Sequence, residues 1–182
     1  MISDDEFTDV ALPSLLKSSI YLSETLFLPG RMRSDILLGR AAWCHKGQRG
    51  GVTILAYGLM RQRVMTVLRG WRPNSDFYSA DNTLGCDLID LRSLYPIDWE
   101  FIFRMLERTG RLLIVEPDVT YGGIGAEIAA RVHEKRPHVI VKRLGAPRAV
   151  IPASVCCHNE MMPTEEDIRA ALVGFRKGDF ID

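Results

Sequence analysis

The residue types most suited to chemistry lie in a glycine-rich turn that follows a short apolar run. Tyr121, Gly122, Gly123 and Gly125 lead into a stretch with helical periodicity that carries Glu127. Glycine lets backbone N–H groups approach a ligand closely, and the first amides of a helix attract anions. We therefore interpret these five residues as a candidate site for a small anion or a nucleotide or, alternatively, as a turn at a subunit interface.

The spacing of these glycines does not match the known phosphate-binding patterns. Counted from Gly123 and Gly125, the third glycine of the dinucleotide pattern falls on Ile128, and no Gly-Lys-Ser/Thr follows as the Walker pattern requires. Glycine turns after parallel strands are common without a ligand, because they let a helix pack closely against a sheet. Close packing is therefore the favoured interpretation.

Two further groups of side chains have types found in active sites. Glu116 and Asp118 flank a proline just past a predicted strand, where α/β proteins place ligands, although solvated loop acids are the simpler interpretation. Cys156, Cys157 and His158 are adjacent, but no Cys-x-x-Cys spacing and no orienting third group accompanies them. The sequence therefore predicts no catalytic residue, no cofactor ligand and no metal ligand.

Apolar runs alternate with amphipathic stretches along most of the chain. The predicted strands cover residues 52–57, 86–91, 111–115 and 138–144, and the predicted helices begin near residues 59, 99, 124 and 164. Asp98 and Thr164 are placed to cap two of these helices, the second with Asp167, and Gly110 to end one. This alternation predicts an α/β fold with a mostly parallel, Rossmann-like sheet covered by helices on both faces.

Composition predicts one globular domain preceded by an arm. The chain has 182 residues, of which 47% are hydrophobic and 25% charged. Residues 1–50 are assigned to an amino-terminal arm and linker, and residues 51–182 to the domain. The acidic start and the absence of a continuous apolar run of about 20 residues predict a cytoplasmic protein with no membrane partner.

Charge is unevenly distributed although the formal net charge is zero. Nine basic residues and one acidic residue lie between Arg31 and Arg72. Such a patch suits an acidic surface or nucleic acid. Several of these arginines, Arg61 and Arg63 among them, are predicted on the outward face of a helix, and aromatic residues are sparse. We therefore expect no nucleic-acid partner.

Six blocks stand in a fixed order along the chain, at residues 15–20, 51–58, 89–98, 110–116, 122–128 and 162–168. Together they resemble the carboxyl-terminal domain of the β subunit of thiamine-diphosphate-dependent 2-oxo acid dehydrogenases (pyruvate, branched-chain and acetoin types), in the transketolase superfamily. The resemblance implies a three-layer α/β/α domain whose sheet has five strands, one of them reversed. The fifth strand is expected from the linker or from the loop before the last helix.

The resemblance also implies an assembly role. In that family the domain shapes subunit contacts and helps to dock the β subunit onto the acyltransferase core, so the expected partners are a second copy, an α subunit and that core. The α subunit holds thiamine diphosphate and magnesium, and the activating glutamate lies in a preceding domain. We therefore expect this chain alone to bind neither and to be inactive. In the loop before the last helix, the family pattern leads us to expect an aspartate, a proline and an aromatic residue near Arg148, Val150 and Ala153. This sequence has other residues at those positions.

Overall fold

A computed structural model of the chain describes residues 38–47, 51–70, 85–150, 152, 154 and 159–177. The strands of the described residues are β1 (Ala42–His45), β2 (Val52–Ala56), β3 (Cys86–Asp90), β4 (Arg111–Val119) and β5 (Ile140–Ala146). The helices are α1 (Leu59–Gly70), α2 (Trp99–Thr109), α3 (Ile124–Lys135) and α4 (Glu165–Lys177). The predicted arm before residue 38 and Cys156 to His158 lie outside the described residues.

The strands form one five-stranded sheet in the order β1-β3-β2-β4-β5. β1 runs antiparallel to β3, and the other neighbouring pairs are parallel. Every residue of β2 is buried, because helices cover both faces of the central strands. The predicted fold class, a mostly parallel three-layer α/β/α domain, is confirmed.

Two apolar clusters lie on opposite faces of the sheet. On one face α1 and α4 pack against alternate residues of the central strands, such as Ile54 and Leu113. On the other face α2 and α3 pack against the residues between them, such as Leu55 and Leu112. This alternation follows from the two-residue repeat of a strand, which sends successive side chains to opposite faces.

The fifth strand comes from the segment that the sequence assigned to the linker. Ala42 pairs with Asp90 and Trp43 with Ile89, so β1 is an edge strand of the sheet although it precedes residue 51. Gly51, the first residue assigned to the domain, is buried. A four-residue strand with an irregular register has too little periodicity to be recognised by pattern.

β4 is longer than the sequence predicts. The strand continues through Pro117 to Val119, whereas we expected the proline to end it. The pairing of β4 with β5 is irregular between Val115 and Val119. Such an irregularity tolerates the missing N–H of proline, and it lets the chain resume pairing beyond it.

α2 begins and ends as predicted. An Asp98 carboxylate oxygen accepts a hydrogen bond from the Phe101 N–H at 3.1 Å, and Gly110 closes the helix with φ of 65°. The second Asp98 oxygen accepts from the Ala41 N–H at 3.1 Å. Asp98 therefore caps the helix and also fixes the segment that enters β1.

The predicted capping pair of α4 is confirmed. The Thr164 hydroxyl accepts from the Asp167 N–H at 3.2 Å, and the Asp167 carboxylate accepts from the Thr164 N–H at 2.8 Å. These hydrogen bonds satisfy amides that the first turn of a helix leaves unpaired. The Thr164 hydroxyl and the Thr164 N–H donate to the Asp167 carboxylate at 2.6 and 2.8 Å, and they hold the pKa of that carboxyl below its ordinary value.

We expect Thr164→Ala to lower the free energy of unfolding by about 1 kcal/mol, because the cap loses its acceptor. Thr66→Ala on α1 is a matched control, since that exposed hydroxyl bonds only the Gln62 carbonyl within its own helix. Urea denaturation compares the two. Because folding lowers the pKa of Asp167, the loss should shrink as pH falls below its ordinary value of 3.8. An equal loss in both variants would contradict the assignment of the cap.

Within the part of the chain that the structure describes, no helix has the length and apolar character needed to span a bilayer.

Candidate functional site

The glycine turn connects β4 to α3 at the carboxyl edge of the sheet. Gly122 has φ of 77°, a left-handed conformation that glycine adopts without strain. Gly123 precedes the helix in an extended conformation and, having no side chain, offers no cap. The first amides of α3 therefore depend on another residue for a hydrogen-bond acceptor.

Glu116 supplies that acceptor from within the domain. Its carboxylate is fully buried, and one oxygen accepts from the Gly125 N–H at 2.8 Å. A negative charge at this end of a helix is stabilised by the helix dipole. The buried carboxylate therefore occupies the position that a bound anion would take, and a second negative charge there would be repelled.

The two glycines next to Glu116 leave room for its side chain. A Cβ atom on Gly125 would lie 2.4 Å from the Glu116 Oε1, and one on Gly123 would lie 2.5 Å from the Val119 carbonyl oxygen. Either substitution would force atoms into overlap. Close packing within the domain therefore accounts for both glycines without a bound anion.

The groups around Glu116 compensate the negative charge of its carboxylate only in part. Burial raises the pKa of the carboxyl, while the Gly125 N–H and the Arg143 guanidinium lower it. Glu116 Oε1 has no hydrogen-bond partner among the described residues. Burial, together with the charges of Glu116 and Asp118, raises the pKa of the Tyr57 hydroxyl.

We expect the stability difference between wild type and Glu116→Gln to depend on pH. The folded-state pKa of Glu116 lies above its ordinary value of 4.5, so the folded protein binds this proton more tightly than the unfolded chain. The contribution of Glu116 to the free energy of unfolding is complete at pH values below the ordinary pKa. It is lost as the pH rises through the raised pKa of the folded state. The wild type should therefore lose stability relative to the variant on raising pH.

Chemical denaturation at a series of pH values measures this difference. Glu127→Gln, which changes an exposed carboxylate on the same helix, is the control. A wild-type minus Glu116→Gln difference that is constant with pH would contradict the assigned shift.

Other residues of the turn face solvent. Tyr121 is 67% exposed, and the Arg148 guanidinium lies 4.1 Å from the centre of its ring. Glu127 is also exposed. The five residues of the candidate site are thus divided between a buried packing contact and an open surface.

The remaining side chains nominated by the sequence do not form a site in the described residues. Asp118 lies near the end of β4 and is exposed, and its carboxylate accepts from the Val119 N–H at 2.7 Å, so it is solvated but is not in a loop. The described residues contain no group of three or more His, Cys, Asp or Glu that could hold a metal ion.

Sequence reasoning misplaced one arginine. Arg61, predicted on the outer face of its helix, is only 9% exposed, and its Nε lies 3.6 Å from a carboxylate oxygen of Asp90. Arg92 lies two residues after this acid and was not singled out. The available signal was Asp90 itself, because an acid at the end of an otherwise apolar strand needs a partner.

Comparisons with known proteins agree with the architecture. A family model described as "Transketolase, C-terminal domain" matches residues 43–168. The chain is 35% identical over 117 residues to the mitochondrial 2-oxoisovalerate dehydrogenase subunit beta of Chaetomium thermophilum, covering 64% of this chain and 23% of the relative. It is 32% identical over 104 residues to the pyruvate dehydrogenase E1 component subunit beta of Rickettsia bellii, covering 54% and 31%.

A solved structure shows the same fold. The chain superposes on a split-gene transketolase, described as an inactive beta4 tetramer, with a TM-score of 0.60 and 22% sequence identity over 81% of this chain and 44% of that one. The matches span 23% to 31% of the two curated relatives. The resemblance seen in the sequence blocks is confirmed, and the chain belongs to the transketolase C-terminal domain family.

Proposed function

We propose that this chain serves as the carboxyl-terminal assembly domain of a 2-oxo acid dehydrogenase β subunit and does not turn over substrate alone. Its partners in this proposal are a second copy or an α subunit, with the acyltransferase core as a further docking partner. The names of the relatives, which are β subunits of pyruvate and 2-oxoisovalerate dehydrogenases, support the substrate class.

Three exposed apolar side chains that follow the parallel strands, here called the apolar patch, carry the proposal. Tyr95, Tyr121 and Val150 are 83%, 67% and 92% exposed, and they follow β3, β4 and β5 respectively. The carboxyl ends of parallel strands lie at one edge of a sheet, so these side chains share that edge. Large exposed apolar side chains grouped on one surface are typical of contacts between proteins.

The described residues do not fit the family's cofactor. Thiamine diphosphate needs a diphosphate-binding surface and a magnesium ion held by oxygen ligands. The Gly125 amide is already bonded to Glu116, and the described ranges hold no cluster of potential metal ligands. We therefore derive no step of thiamine chemistry from these side chains.

Two measurements test the proposal. The purified chain, supplied with pyruvate or 2-oxoisovalerate, thiamine diphosphate, magnesium and a redox dye, should not reduce the dye. Light scattering after gel filtration, with and without an α subunit of a related dehydrogenase, should show a complex. Turnover by the chain alone, or a monomer in every mixture, would refute the proposal.

We expect Tyr121→Asp to weaken that complex at least about tenfold, because it places a charge in an apolar contact. Ala130→Asp is the control, since that exposed residue lies on α3, two turns beyond the turn that carries Tyr121. If Tyr121→Asp leaves the affinity of the complex unchanged, the apolar patch is not part of the interface.

The second candidate is a free-standing module that binds a small anion or nucleotide at the glycine turn. The open surface beside Tyr121 and Arg148 is the feature that favours it. Thermal shifts with phosphate, nucleotides and thiamine diphosphate distinguish the two, because stabilisation by an anion in a chain that does not associate would favour this second function.

A further inference from the structure

Asp90 and two nearby arginines, Arg61 and Arg92, lie at the carboxyl end of β3, and Asp90 is on the side of the sheet that α1 covers. Asp90, the last residue of β3, is 3% exposed. The Arg61 Nε, from the first turn of α1, lies 3.6 Å from one Asp90 oxygen. Burial and Asp90 raise the pKa of the neighbouring Cys44 thiol, whereas Arg61 and Arg92 lower it.

The backbone of Arg92 has an unusual conformation. Its φ is 58°, and it is the only non-glycine residue of the described ranges with a positive value. The Ser93 N–H donates to the Leu91 carbonyl, so Arg92 is the central residue of a three-residue turn. Its own N–H donates to the second Asp90 oxygen at 3.1 Å. Residues with a strained backbone are concentrated at active sites and ligand-binding sites.

The next residues hold this turn rigidly. The Ser93 hydroxyl donates to the Pro96 carbonyl and accepts from the Gly39 N–H at 3.1 Å. Ser93 is buried. The hydrogen bonds of Ser93 therefore hold the loop that carries Arg92 in place.

Positive charge exceeds negative charge at this point. Burial raises the pKa of the Asp90 carboxyl, whereas the Arg92 N–H and the charges of Arg61 and Arg92 lower it, and the first turn of α1 contains no acidic residue. The Nε of Arg92 is buried and has no hydrogen-bond partner in the described part of the chain. A buried donor without a partner costs free energy, which an acceptor from outside would recover.

We propose that Arg61 and Arg92 form a binding site for a carboxylate, supplied either by a small molecule or by an acidic side chain of a second copy of this chain. A guanidinium offers a planar pair of donors that matches the two oxygens of a carboxylate. The strained turn holds Arg92 ready for this contact, and Asp90 orients Arg61. This site uses none of the side chains of the apolar patch, and it does not depend on the proposed assembly role.

Thermal unfolding in sodium acetate, against sodium chloride at equal ionic strength, tests the site directly. A saturable rise in the midpoint of about 3 °C is expected at about ten times the dissociation constant. Arg92→Gln should abolish the rise. Arg104→Gln, at an exposed arginine stacked on Phe101, is the matched control and should retain it.

A second measurement identifies the source of the carboxylate. If a second copy supplies it, light scattering should show a dimer that Arg92→Gln dissociates and acetate weakens, and acetate need not then raise the midpoint. If a small molecule supplies it, the oligomeric state should be the same in both proteins. No response to acetate together with no change in oligomeric state, or an equal response in Arg92→Gln, would overturn the site.

Arg92→Gly separates a binding role from a structural one. Glycine adopts positive φ without strain, so at a protein concentration at which the wild type is monomeric this variant should unfold in chloride at a temperature equal to or above that of the wild type. It should nevertheless lose the acetate response or the dimer. A large fall in the midpoint in chloride would show that the guanidinium stabilises the fold, and would contradict the proposal.

Discussion

Replacing Gly125 with alanine is expected to lower the free energy of unfolding by about 3 kcal/mol. The new Cβ would lie 2.4 Å from Oε1 and 2.7 Å from Cδ of Glu116, in a buried contact with no open space to relax into. Relief would require moving α3 away from β4 or expelling the Glu116 carboxylate from the helix end. Urea denaturation followed by circular dichroism measures the loss.

A double-mutant cycle identifies the cause. The atoms in conflict all belong to Glu116, so in a Glu116→Ala background the same glycine substitution should cost less than about 1 kcal/mol. Gly70→Ala is the control, because its new Cβ would have only the Arg169 Nη2 at 3.9 Å. That variant should be neutral or slightly stabilising. Additive losses in the cycle would show that Glu116 is not the obstacle.

Replacing Asp87 with alanine is the second change with a large expected effect, a loss of about 3 kcal/mol. Asp87 is fully buried in β3, and its Oδ1 accepts from the Trp43 Nε1 at 3.1 Å and from the Gly47 N–H at 2.8 Å. The Arg108 Nε lies 3.6 Å from its Oδ2. The variant would leave a charge and two donors without their acceptor.

Because two of these contacts hold the edge strand β1, the loss should be greatest there. Hydrogen exchange should show faster exchange of the Trp43 to His45 amides in Asp87→Ala than in wild type. Glu107→Ala is the control for removing an acid, since its ion pair with Arg136 is exposed and should contribute less than about 1 kcal/mol. Unchanged protection of β1 would refute the assigned role of Asp87.

Local patterns predicted most of the elements correctly. Asp98, Gly110 and Thr164 mark helix ends by contacts that lie within a few residues, so their types and spacing suffice. Pattern failed at β1, which has only four residues and depends on pairing with β3 from far along the chain. It also failed at Pro117, where an irregular register decides that the strand continues.

The candidate site was only partly predictable. The sequence identified the glycine turn correctly as a special backbone, but it could not show that Glu116 fills the helix end nine residues away. It placed Arg61 on the wrong side of its helix, because Asp90 is the reason for its burial and the two are not neighbours in sequence. The six blocks of the resemblance identified the family correctly, because their order and spacing are properties of the sequence itself.

By itself the sequence determined the alternation of strands and helices, the parallel sheet and the family, since periodicity, caps and block order are all written in consecutive residues. Only the tertiary structure decided which polar groups are buried and what each of them faces. The contact between Asp87 and Trp43 joins residues 44 positions apart, and Arg61 meets Asp90 across two different elements. Such pairings depend on how layers pack, and the cost of burying charge then determines which side chains must meet.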